Sequence, residues 1–160
     1  MSGLLFFDTE WATDAGRELV SLALVNADGS RCFYAERDPL PAVASTFVQH
    51  TVYPLLERGE VALPDRLFTE RLRAFVTVCD NPRIHFDALL DKVLLGQAMS
   101  EWGRNLKGVP AFVPVFVERN DVRDEVGLYF QNNPEALARR HHAGVDAEAL
   151  RYAFVLAVDP

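Results

Sequence analysis

Two carboxylates, Asp8 and Glu10, stand one residue apart at the end of the stretch LLFFDTEW (4–11), where four large apolar residues run directly into them. In a strand, side chains two positions apart leave the same face, so both acids project together while Thr9 points away. Carboxylates held side by side repel unless something positive lies between them. A strand end that reaches solvent would satisfy them with water. A divalent cation would satisfy them too, but it needs several converging oxygen donors. The chain has further acids to offer. FDALLD (86–91) carries Asp87 and Asp91 where a later strand is expected to end, and HHAGVD (141–146) carries His141 five residues before Asp146. Taken singly, the two histidines also fit a polar helix cap, and Asp91 an exposed helix position.

The elements that must position these residues follow from apolar spacing. Residues 3–9 read as a buried strand. Residues 18–26 and 31–36 form a hairpin around a turn built from Asn26, Asp28 and Gly29. Residues 40–59 have helical character, with a kink at Pro54 and a stop at Gly59. Apolar residues at 67, 68, 72, 75 and 76 predict a helix over 65–78, with Asp65 as its N-cap. After a turn at 80–82 come a short strand, 83–88, and a helix closed near Gly103. VPAFVPVFV (109–117) contains two prolines, which suits an edge strand or packed loop. The segment 118–127 is polar, a loop or short helix. From Asn133 a helical turn begins, breaks around Gly144 and resumes over Val145–Val158. Strands alternating with helices predict one α/β domain spanning 1–160, and the initial hairpin makes its sheet mixed.

Composition sets further bounds. The chain has 160 residues, is 49% hydrophobic and 24% charged, and carries a formal charge of -7. That is ordinary for a folded domain. It disfavours gripping nucleic acid by bulk charge, yet suits a site that collects cations and presents them to phosphate. Cys32 and Cys79 form no metal pattern, which fits a reducing, cytoplasmic setting. No apolar run reaches the roughly 20 residues that span a bilayer, so no membrane partner is expected. No secretory signal, internal repeat or glycine-rich phosphate loop is visible.

Together and in this order, DTE (8–10), FDALLD (86–91) and HHAGVD (141–146) resemble the three motifs of the DEDDh (ribonuclease T-like) 3′–5′ exonucleases: D-x-E on the first strand, an Asp closing a later strand, and H-x4-D near the last helix. The similarity covers nearly the whole chain, and its opening and closing stretches resemble the small bacterial 3′–5′ exoribonuclease-like branch. It implies a ribonuclease H-like α/β fold, with a five-stranded mixed sheet whose first strand is central. It also implies two divalent ions, Mg2+ or Mn2+, held by Asp8, Glu10, Asp91 and Asp146, with Asp8 as the bridge. Such ions lie about 4 Å apart and clamp the attacking and leaving oxygens of an in-line displacement. His141 becomes the general base, with His142 as fallback, since an imidazole pKa near 6.5 suits proton removal at neutral pH. Thr9 and Trp11 become substrate contacts, Trp11 by stacking on a base. For the middle motif, Asp91 is preferred because DKVLL (91–95) matches the usual continuation, which leaves Asp87 in place of the usual Asn; the rival placement makes Asp87 the ligand. Arg104, Lys107, Arg119, Arg139 and Arg140 are candidates to guide phosphates. The partners implied are single-stranded RNA or DNA 3′ ends, and a homodimer is one state the chain could adopt. The alternative function is a non-cleaving module that binds nucleic acid or protein.

Overall fold

The computed structural model describes residues 3–13, 15, 18–118 and 120–158. Its first strand, β1 (Leu4–Trp11), is longer than the expected 3–9, so both acids lie within it. It pairs antiparallel with β2 (Leu19–Asn26), which pairs antiparallel with β3 (Cys32–Arg37). The turn between β2 and β3 is the one expected: the Gly29 N–H donates to Asn26 O at 3.0 Å, and Gly29 has φ 72°, which glycine adopts without steric cost. On its other side β1 runs parallel to β5 (Arg83–Phe86), and β5 parallel to β6 (Val113–Phe116). A two-residue strand, β4 (Ala62–Leu63), runs parallel to β3. The mixed sheet is therefore six-stranded, ordered β4-β3-β2-β1-β5-β6, not five-stranded. β1 lies in its interior as expected.

Helices cover both faces. On one, α1 (Asp65–Thr77) and α2 (Leu89–Met99) pack over Leu5, Phe7, Leu22, Leu24 and Ile84. On the other, α3 (Asn120–Asn132) and α5 (Ala143–Val158) pack over Phe6, Ala23 and Val25. A short α4 (Pro134–Ala138) joins them. Leu5, Phe6 and Phe7 are completely buried, worth about 1.5–3 kcal/mol per side chain. The strand's strict alternation thus fixes which face each acid serves: Phe6, Asp8 and Glu10 belong to the α5 face, and Phe7 and Thr9 to the α2 face.

Several elements differ from expectation. Of the helix predicted over 40–59, only 46–55 is helical, mostly as irregular turns at Val48–Val52 and Tyr53–Leu55, and Val48 and Val52 pack onto Ala12 and Val20. Asp65 is the first residue of α1 rather than its cap; its carboxylate accepts from Arg37 at 3.0 Å and Arg104 at 2.5 Å. α2 ends at Met99, and the chain to residue 108 is held by Arg73, whose guanidinium donates to the carbonyls of Met99, Asn105 and Lys107. The polar segment after β6 forms a 13-residue helix. The final break falls at residues 139–142, and Gly144 is already inside α5. No helix among the described residues is long and apolar enough to cross a membrane.

Candidate metal centre

Three distant segments bring their acids to the end of β1. Leu4, Leu5 and Phe6 stand beside Arg83, Ile84 and His85, so continuing that parallel register puts Asp87, just past β5, next to Asp8. Asp91 enters from the first turn of α2. It lies on the stripe Asp91, Leu94, Leu95, Ala98 and Met99, every member of which is buried; the helix presents this acid as though it were a core residue. Asp146 does the same on α5. It shares a face with Ala143, Ala147, Leu150 and Ala153, whose small side chains let the helix lie close to β1 and β2.

Donor atoms of Asp8, Asp87 and Asp91 all lie within 4.8 Å of one another, as do those of Glu10, His141 and Asp146. Asp91 is fully buried and Glu10 nearly so, whereas Asp8 and Asp146 are half-buried. Thr9, on the opposite face from its neighbours, donates its hydroxyl to Asp91 Oδ1 at 2.6 Å. The His141 backbone N–H donates to Asp146 Oδ2 at 3.1 Å. These two bonds leave Asp91 Oδ2 and Asp146 Oδ1 buried without a donor, and Asp8 Oδ2 is in the same condition.

Electrostatics follow from this crowding. The Asp8 carboxyl is raised well above the ordinary carboxylate range, by burial first and then by Asp91, Asp146, Glu10 and Asp87. Glu10 is raised to about 8 by burial and by Asp146 and Asp91. Asp91 is raised to about 7 by burial, against the Thr9 hydrogen bond, and Asp146 to about 6 by burial, against the His141 N–H. Desolvation also raises Asp87. His141 is shifted down by burial and by Arg140, so its imidazole is neutral near pH 7. Buried oxygens that lack donors, and crowded carboxylates whose pKa values are raised by burial, are oxygen donors of the kind that hard divalent ions take.

All five expected catalytic positions, Asp8, Glu10, Asp91, His141 and Asp146, meet here, and Asp87 joins them. Both readings of the middle motif therefore reach the cluster; Asp91 does so from a buried position, Asp87 from an exposed one. A cleft of about 300 Å3 opens over the group, lined in part by Thr9, Trp11 and His141. Trp11 also packs on the α1/α2 core, and the register of β1 against β2 shifts between Glu10 and Trp11, an irregularity of the kind that re-aims a side chain. His142 is not in the cleft, which removes it as the fallback base; it stacks on Tyr34 instead. His85 is core, stacked on Phe6, and His50 is exposed with Nδ1 2.8 Å from Thr46 O.

The cleft also contains Ala88 of the middle motif and residues that motif reasoning missed: Thr13, Ser45, Phe47 and Val48. Phe47 is half exposed and meets the His141 ring edge-on at 5.1 Å. Its signal was hidden by the expected helix over 40–59, in which it passes for an ordinary apolar position. Of the basic candidates, Arg104 is paired with Asp65 and Arg139 with Glu57, whereas Arg140 lies over the Phe130 ring. Lys107 is exposed and its carbonyl accepts from Arg73; Arg119 lies outside the described residues. No family model, curated protein or solved structure matches the chain.

Proposed function

We propose that this protein is a divalent-metal-dependent 3′–5′ exonuclease of the DEDDh type, built on a ribonuclease H-like sheet and acting on the 3′ ends of RNA or short single-stranded oligonucleotides to release 5′-mononucleotides. One observation carries the reading: acids from positions 8, 91 and 146 converge with buried oxygens that no donor satisfies. The strand order β3-β2-β1-β5-β6, with only β2 reversed, supports the fold assignment.

Asp8, Glu10, Asp91 and Asp146 would hold two Mg2+ or Mn2+ ions, with Asp87 able to contribute. When bound, such ions polarise the scissile phosphate, acidify a water and stabilise charge on the departing oxygen. The chain's own residues do the rest. His141, neutral and open to the cleft, accepts the proton of the attacking water. Thr9 fixes Asp91, and the His141 N–H fixes Asp146, so both carboxylates are oriented before an ion arrives. Trp11 and Phe47 offer aromatic faces to the terminal bases, each stack being worth about 1–3 kcal/mol with little regard to sequence.

The test is incubation of 5′-labelled RNA and DNA oligonucleotides with Mg2+, Mn2+ or EDTA. Metal-dependent shortening from the 3′ end that disappears in Asp8→Asn supports the enzyme. Metal-independent binding with no shortening supports the non-cleaving module and sinks the nuclease.

A further inference from the structure

His141 and His142 are neighbours whose rings serve opposite sides of the chain. His141 occupies the acid cleft with φ 74°, a left-handed conformation that non-glycine residues hold only where their surroundings over-determine it. His142 is 5% exposed. Its ring stacks on Tyr34 at 4.4 Å with planes 23° apart, and its Nε2 is 3.3 Å from Glu57 Oε1. Its other edge lies against Gly144, where an added Cβ would be 3.1 Å from Cε1 and 3.2 Å from Nδ1. Tyr34 is itself fixed, because its hydroxyl donates to the buried Glu36 at 2.7 Å. The seat of His142 is thus built on β3 and the first turn of α5, outside the cleft that His141 enters.

We propose that His142 is a positioning residue: clamped between Tyr34 and Gly144, it holds the left-handed turn that aims the His141 ring into the cleft beside Phe47. What His141 does there rests on the nuclease reading; where it is held does not.

Gly144→Ala tests this without replacing either histidine. Gly144 has no positive φ and sits in a helix, which alanine favours over glycine. The atoms nearest the new methyl belong to the His142 and Tyr34 rings, and only those of His142 are crowded. The variant is expected to remain folded and to bind Mn2+ as wild type does. It should lose the nuclear Overhauser contact between the His141 and Phe47 rings, and its kcat should fall on the order of tenfold with KM unchanged. Combining it with His142→Ala should cost no more than His142→Ala alone. If Gly144→Ala keeps the ring contact and the wild-type kcat, the positioning role is overturned. Should wild type cut no oligonucleotide, the nuclease reading fails, and loss or retention of the ring contact still decides the role of His142.

Discussion

Glu36 on β3 and Asp91 on α2 are both completely buried carboxylates, and their surroundings are opposites. Glu36 accepts from the Tyr34 hydroxyl, from the backbone N–H groups of Glu57 and Arg58 at 2.6 and 3.0 Å, and from the Arg58 guanidinium at 3.3 Å. Asp91 has the Thr9 hydroxyl on one oxygen and no donor on the other, and its nearest charged neighbours are acids. The chain is able to satisfy a buried carboxylate fully and does so at β3. Leaving three such oxygens unsatisfied at the end of β1 costs stability, and a bound cation, as proposed above, would recover it.

The contrast can be broken most sharply by removing one acid from each region. Asp8→Asn should abolish metal-dependent cleavage, by about 10³-fold or more, since it removes a carboxylate shared by the whole cluster. The same change should leave metal-free thermal stability equal or higher, because it relieves repulsion. Glu36→Ala should do the reverse. It strips acceptors from a hydroxyl and two backbone N–H groups, each loss costing about 1–3 kcal/mol, and should lower Tm by roughly 10 °C while the folded fraction still binds Mn2+. Calorimetry with and without Mn2+ reads both.

A finer cut is Thr9→Val, which keeps shape and deletes the hydroxyl on Asp91. Metal affinity, read by titration calorimetry, should fall by about tenfold, as when other partners that orient ligands are removed. The smallest effect is on pH. Asp8, Glu10, Asp91 and Asp146 all have folded pKa values above their ordinary ones. The folded state therefore keeps protons that the unfolded chain has released. This contribution to stability is complete below about pH 4 and is lost as pH rises through about 6, 7 and 8, the values for Asp146, Asp91 and Glu10. Melts in EDTA should show Tm declining over that window, by about 2–4 °C per kcal/mol, and saturating Mn2+ should flatten the slope.

Much of this arrangement is written locally. β1, β2 and β3 follow from short apolar runs flanking an Asn-Ala-Asp-Gly turn, and Asp8 and Glu10 share a face because strand geometry requires it. Asp91 and Asp146 are legible in a subtler way. Each occupies a position that the helical period reserves for an apolar residue, and an acid there needs a reason. What escapes the sequence is set by distant partners. β4 exists only because Ala62 and Leu63 meet Glu36 and Arg37, and two residues carry no period of their own. The segment 40–59 has helical spacing, but its packing on Ala12 and Val20 takes precedence, and with that misreading Phe47 is lost from view. α3 buries only Val122 and Phe130 fully, too faint a stripe in a charged stretch to announce a 13-residue helix.

The acids that meet at the end of β1 come from positions 8, 91 and 146, so no partial chain contains the assembled centre. Closing such long loops is slow and comes late in folding. On the nuclease proposal, a growing polypeptide would stay inert on the ribosome until α5 had been made and docked. Activity of that kind would report on the completed fold, because a copy truncated before Asp146 lacks one of the converging acids.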